Sequence, residues 1–220
     1  MATMISDTDT ARHAMVASQL RTSGVSDTRV VEAMAALPRE AFVPGHDVLA
    51  YRDVALPLPG GRAQNPPLAT GLLLTEAAIQ ANETVLLIGA TGGYTAAVAA
   101  RLAAQVVAVE SDSVLAGMAR DSLSGVANVT VIEGDLAAGH PAGAPYDVLL
   151  IDGAVEQVPS ELIAQLRVGG RIATGLADRG VTRLAGGTRT EGGHGLADFA
   201  DTDCVVLPGF ARPRGFHFPG

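Results

Sequence analysis

Four short stretches of the chain hold residue types that can do chemistry. Gly89-Ala90-Thr91-Gly92-Gly93 follows an apolar run. Glu110 ends a second run, Gly134-Asp135 follows a third, and Asp152 ends a fourth. Glycines in such a turn let the backbone approach a ligand closely. A carboxylate about twenty residues further on, at the end of the next strand, accepts hydrogen bonds from two ribose hydroxyls. Asp135 is placed to accept from an exocyclic amine such as that of adenine. Together these residues describe a nucleoside site that needs no diphosphate. The plainer alternative is a tight Gly92-Gly93 connection with acidic residues capping helices. The nucleoside reading is preferred because three strand ends each carry the expected residue type. The turn is not a full G-x-G-x-x-G, so a NAD-type dinucleotide is the minor reading.

These residues need a scaffold that gathers strand ends. Residues 84–88 (TVLLI), 105–109 (QVVAV), 129–132, 147–151 (DVLLI) and 171–174 read as short apolar strands. Helical patterns separate them at residues 68–80, 94–103, 112–123 and 159–166. Buried strands alternating with helices predict an α/β fold: a doubly wound, Rossmann-like, mostly parallel sheet with helices on both faces. Ligands then sit beyond the carboxyl ends of the strands. Before this core, residues 1–61 read as a helical extension. One helix lies over 11–22, and a second is capped by Ser26 or Asp27, carries the stripe Val30, Val31, Met34 and Leu37, and stops at Pro38. Residues 56–61 (LPLPGG) read as a loop. The core spans 66–174. Residues 175–220 predict an antiparallel edge hairpin from 181–190 and 196–207 around a glycine-rich turn. All of this forms one domain over 1–220.

The 220 residues are enough for one ordinary core, and 48% hydrophobic with 17% charged residues excludes a disordered chain. The net charge is −8, against nucleic acid as a partner, because phosphate neutralisation needs a basic face. No apolar run reaches the roughly 20 residues of a membrane span. The first ten residues are polar, contain Asp7 and Asp9, and do not read as a signal peptide. All 15 basic residues are arginine, so Schiff-base, P-loop-lysine and lysine-base mechanisms are excluded. The lone Cys204 excludes a disulfide framework and reads as a buried small hydrophobe. His13, His46, His140, His194 and His217 are scattered, so they read as structural or surface residues, and no metal site is expected. The cytoplasm is the expected compartment. A mean hydropathy of +0.28 hints at a homo-oligomer interface.

Over nearly its whole length the sequence resembles the protein-L-isoaspartate O-methyltransferases, within the class I S-adenosylmethionine-dependent fold. The most specific match is MVASQLRTSGVSDTRVVEAMAALPREAFVP over residues 15–44, like that family's entry segment. VLLIGATGGYTAAVAARLA, VVAVE, EGD, YDVLLIDGAVEQVP and LRVGGRI follow in the family's order. The resemblance implies methylation of the α-carboxylate of isoaspartyl residues in damaged proteins or peptides, which then revert through a succinimide. It implies S-adenosyl-L-methionine, with S-adenosyl-L-homocysteine as product. The cofactor would lie along Gly89, Ala90, Thr91 and Gly93, with ribose on Glu110 beside Ser111 and adenine near Asp135 and Leu136. Tyr94 opens the next helix as in the family, serving packing or cofactor contact.

The chain departs from the family's pattern at three positions. Leu87 stands where the strand before the turn usually carries an acidic residue, and Thr91 replaces the middle glycine of the turn. Asn65, in Ala63-Gln64-Asn65-Pro66-Pro67, replaces the acceptor-site serine. Methyl transfer to a carboxylate needs alignment rather than a general base, since the acceptor is ionised at neutral pH. A donor suffices there, and the Asn65 amide is one. Asn65 and Asp152 are therefore the candidate catalytic residues, with Asp152 alternatively a turn cap or a solvated side chain. An anion at 152 would repel a carboxylate and suit an acceptor with an N–H or O–H. Two alternatives follow: a same-fold methyltransferase with a different acceptor, and a degenerate relative that acts by binding.

Overall fold

A computed structural model describes residues 7–212. His217, the first six residues and the end of the C-terminal region lie outside the described residues. The sheet has seven strands in the order β5-β4-β3-β6-β7-β8-β9, preceded in the chain by a separate ribbon of β1 (Leu56–Pro57) and β2 (Ala63–Gln64). Strands β3 (Thr84–Ile88), β4 (Gln105–Glu110), β5 (Val129–Glu133), β6 (Tyr146–Val155) and β7 (Leu166–Asp178) pair in parallel. β8 (Val181–Thr190) and β9 (Gly193–Ala200) extend the sheet antiparallel from β7.

The two-residue period of the strands explains the layering. In β3, Val85 and Leu87 enter one apolar cluster while Leu86 and Ile88 enter the other. The first cluster is covered by α3 (Pro67–Ala77), α4 (Tyr94–Ala100) and α5 (Ser113–Ser122), and by the N-terminal helices. The second is covered by the short α6 (Ser160–Ala164), through Leu162 and Ile163, and by Leu207 and Phe210 of the C-terminal segment. Leu87 is fully buried in the first cluster, so its apolar side chain serves packing.

The N-terminal part runs as α1 (Asp7–Met15), a π turn over Val16–Leu20 and a 3₁₀ turn over Arg21–Ser23, ending at Gly24 with φ of 99°. The helix therefore starts earlier than residue 11 and tightens at its end. α2 (Thr28–Ala36) is capped as expected: the Asp27 side chain accepts from the Arg29 amide. Other expectations need correction: the 68–80 helix ends at Ala77, and the 171–174 strand runs from Leu166 to Asp178. Residues 56–61 are not simply a loop. They open the β1–β2 ribbon, because Leu58 N–H donates to the Arg62 carbonyl at 2.8 Å. The 94–103 helix ends at Ala100, where the Arg101 amide closes onto Val98 and Ala99. The second hairpin strand ends at Ala200 rather than 207. The chain then returns over the sheet, with the Ala154 amide donating to Val205 at 2.7 Å and the Leu207 amide to Ala154 at 2.9 Å.

Candidate active site

The turn after β3 is tied to the neighbouring strand, as the Gly89 and Ala90 amides both donate to the Val109 carbonyl at 3.0 and 3.1 Å. Gly89 and Gly93 have φ of 84° and 98°, and Thr91, a β-branched residue, has φ of 46°. Such a residue in the left-handed region costs about 1–2 kcal/mol. The Thr91 hydroxyl is buried without a partner. Gly92 is required sterically: a Cβ there would lie 2.5 Å from the Phe42 carbonyl oxygen. The segment after α2 thus rests on the turn. A Cβ at Gly153 would lie 2.5 Å from Leu207 Cγ, so the C-terminal segment rests on the neighbouring strand end.

Glu110 is fully buried at the end of β4. Its carboxylate accepts from the amides of Thr91 (2.9 Å), Ser111 (2.8 Å) and Asp112 (3.1 Å). It also accepts two bonds from one guanidinium, Arg62 Nη1 to Oε1 at 2.7 Å and Nη2 to Oε2 at 3.3 Å. Sequence reasoning missed Arg62. It stands 48 residues from Glu110, and no local pattern marks it. The β1–β2 ribbon delivers it.

Asn65 and Asp152 are brought together across 87 residues, with Asn65 Nδ2 donating to Asp152 Oδ1 at 2.8 Å. Thr95, in α4, donates its hydroxyl to Asp152 Oδ2 at 2.5 Å. Asp152 is 3% exposed, so it is not a solvated side chain, and its donors are side chains rather than the amides of the following turn. Burial pushes its carboxyl above the usual range, opposed by the bonds from Thr95 and Asn65 and by the charges of Arg39 and Arg62. Asn65 Oδ1 accepts from the Val205 amide at 2.7 Å and from the Cys204 thiol at 3.4 Å. Cys204 is buried as expected, and burial pushes its thiol up.

Arg39 is a second residue that sequence reasoning passed over. It is fully buried, donates Nη2 to the Asn65 carbonyl, and stacks 4.7 Å above the Tyr94 ring. Its Nε and Nη1 have no partner, and burial pulls its pKa down from the usual arginine value. Tyr94 is fully buried beneath Arg39 and edge-on to Phe42 at 5.5 Å, a packing role, with its hydroxyl unpartnered. Asp135 is exposed and accepts from the Ala137 amide at 2.8 Å, capping its own turn, while Leu136 packs into the second apolar cluster. Ser111 is exposed. Next to Asn65 opens a cavity of about 310 Å³ lined by Asp53, Val54, Pro66, Thr202, Cys204 and Val205.

The donor set fits a nucleoside cofactor. Glu110 receives a pair of parallel donors, the arrangement that a vicinal diol presents, beside a glycine-bearing turn.

Comparison with known proteins agrees. The family described as protein-L-isoaspartate(D-aspartate) O-methyltransferase matches residues 11–192. A protein-L-isoaspartate O-methyltransferase of Methanoculleus marisnigri is 37% identical over 184 residues, 82% of this chain and 84% of that one. Protein-L-isoaspartate O-methyltransferase 1 of Rhodopseudomonas palustris is 39% identical over 183 residues, 81% of this chain and 75% of that one. A solved protein-L-isoaspartate O-methyltransferase superposes with a TM-score of 0.79 over 90% of this chain and 66% of that one. At 24% identity, this is a likeness of fold.

Proposed function

The chain belongs to the protein-L-isoaspartate(D-aspartate) O-methyltransferase family, and on that premise we infer that Glu110 and residues 89–93 hold the cofactor while Asn65 and Arg39 present the acceptor. The reaction is S-adenosylmethionine-dependent methylation of the α-carboxylate of L-isoaspartyl residues in damaged proteins, a repair step. When bound, S-adenosyl-L-methionine supplies an electrophilic methyl group on a sulfonium, and S-adenosyl-L-homocysteine is left. No proton has to be removed from an ionised carboxylate, so these residues act by orientation and charge.

The observation that carries the carboxylate reading is Arg39. A fully buried guanidinium with two unpartnered donor nitrogens, Nε and Nη1, beside Asn65, is suited to a carboxylate. The Asn65 amide has two N–H donors and spends one on Asp152, leaving one for an acceptor oxygen. The cavity beside Cys204 and Pro66 supplies the approach for a peptide. Asp135, Leu136 and Ser111 lie at the adenine and ribose end of the proposed cofactor position. Tyr94 supports Arg39 from below rather than touching the cofactor. The cytoplasm is the proposed place of work, in keeping with a single cysteine. Among the described residues no helix is long and apolar enough to cross a membrane.

The test is steady-state methyl transfer to an isoaspartyl peptide by wild type, Asn65→Ser and Asn65→Ala. Asn65→Ala is expected to lower kcat/KM for the peptide about tenfold or more, the loss of one donor to a charged group. Asn65→Ser, which keeps a donor, should lose less. Equal values in all three would remove Asn65 from the acceptor site. A second reading rests on buried Asp152, because an anion beside Asn65 favours an acceptor carrying an N–H or O–H. Transfer to such an acceptor, with none to isoaspartyl peptide, would establish it.

A further inference from the structure

We propose that Arg62 occupies the ribose subsite and sets cofactor affinity by competing for Glu110, an inference that rests on the methyltransferase reading of that site. Glu110 accepts five hydrogen bonds, which fills the roughly four lone-pair directions of a carboxylate. Three come from backbone amides fixed by the 89–93 turn and by the start of α5. Only the two from Arg62 come from a side chain that can leave. A guanidinium offers two parallel N–H donors, and a ribose offers two vicinal O–H donors. Both seek the same pair of oxygens, so they exclude each other.

The part placed to leave is the Arg62 side chain, not the ribbon that carries it. The β1–β2 ribbon has two residues on each strand and is anchored by Leu56 and Leu58 in the first apolar cluster. At its tip Gly60 and Gly61 have φ of 69° and 71°, and Gly60 lies against the Asp112 side chain at the start of α5. The Arg62 Nε has no partner, so among the described residues the hydrogen bonds of the guanidinium go to Glu110. Cofactor binding then requires the Arg62 side chain to swing away. The closed pair reduces apparent affinity by the fraction of time the subsite is free.

The test is calorimetric titration of S-adenosylhomocysteine into wild type, Arg62→Ala and Arg62→Gln, with thermal unfolding to confirm folded protein. Arg62→Gln keeps one neutral donor for Glu110 and serves if the alanine variant fails to fold. The expected result is a Kd at least tenfold lower in Arg62→Ala, with Arg62→Gln between it and wild type. The wild-type association rate should also level off with rising ligand, since opening precedes binding. An equal or higher Kd in the folded variants overturns the inference and leaves the cofactor site standing. No binding by any of the three proteins at millimolar ligand, together with no methyl transfer, overturns both.

Discussion

The Arg62–Glu110 pair makes a quantitative demand on stability. Glu110→Ala removes an acceptor that serves Arg62 and three backbone amides, all inside the protein. It leaves a guanidinium only 8% exposed without a counter-charge. Breaking one side of a buried pair costs about 3–5 kcal/mol. For a chain of this size each kcal/mol moves Tm by about 2–4 °C, so Tm should fall by about 6–20 °C. Arg62→Ala should cost less, because the three amides still hold the carboxylate. The double variant leaves no uncompensated charge and should recover about 1–3 kcal/mol relative to the sum of the singles. The assay is urea unfolding of all four proteins at one pH and salt concentration, with comparable m-values as the condition for reading differences. Additive losses, or a Glu110→Ala loss under about 1 kcal/mol, would refute a closed, buried pair.

Further outcomes follow from the same geometry. Glu110→Ala should also weaken S-adenosylhomocysteine binding by about 1–3 kcal/mol, read by calorimetry, because ribose hydroxyls lose their acceptor. Gly92→Ala should destabilise by about 1–3 kcal/mol in chemical unfolding, since its Cβ meets the Phe42 carbonyl rather than a side chain that can move. Thr91→Gly should stabilise by about 1 kcal/mol, as release of left-handed strain and of an unpartnered hydroxyl outweighs the added chain entropy of glycine. Asp152→Asn should gain in stability relative to wild type as pH rises, read by urea unfolding across a pH series. The wild-type carboxyl is raised by burial, so the folded state binds a proton more tightly than the unfolded one. Wild type therefore loses stability as pH climbs from the unfolded value near 3.8 through the raised folded value. The advantage of the variant should grow across that window, then level off.

Features that repeat along the chain were legible in the sequence. The apolar runs at 84–88 and 105–109 became β3 and β4, and the strand ends did gather Glu110 and Asp152 near the glycine turn. Asp27 capped its helix because capping is local. What escaped depended on distant partners. Asn65 and Asp152 were each singled out, yet only the fold joins them, since the bond spans 87 positions. Nothing local singles out Arg62 and Arg39 among the 15 arginines, the chain's only long cations. Their burial comes from a ribbon and a 3₁₀ turn too short to show periodicity. Leu207 continued a β-patterned stretch, and nothing local marks where the hairpin stops and the chain turns back over Gly153. Asp135 was legible as an acidic strand end; that its carboxylate also accepts from the Ala137 amide is a local use the sequence did not show.

The most direct measurement of the central claim is transfer of a labelled methyl group from S-adenosyl-L-methionine to an L-isoaspartyl peptide, beside the same peptide with ordinary aspartate. Label is expected on the isoaspartyl peptide alone, as a base-labile methyl ester that releases methanol and returns the peptide through a succinimide. No label on either peptide, with a folded enzyme and saturating cofactor, would contradict that claim.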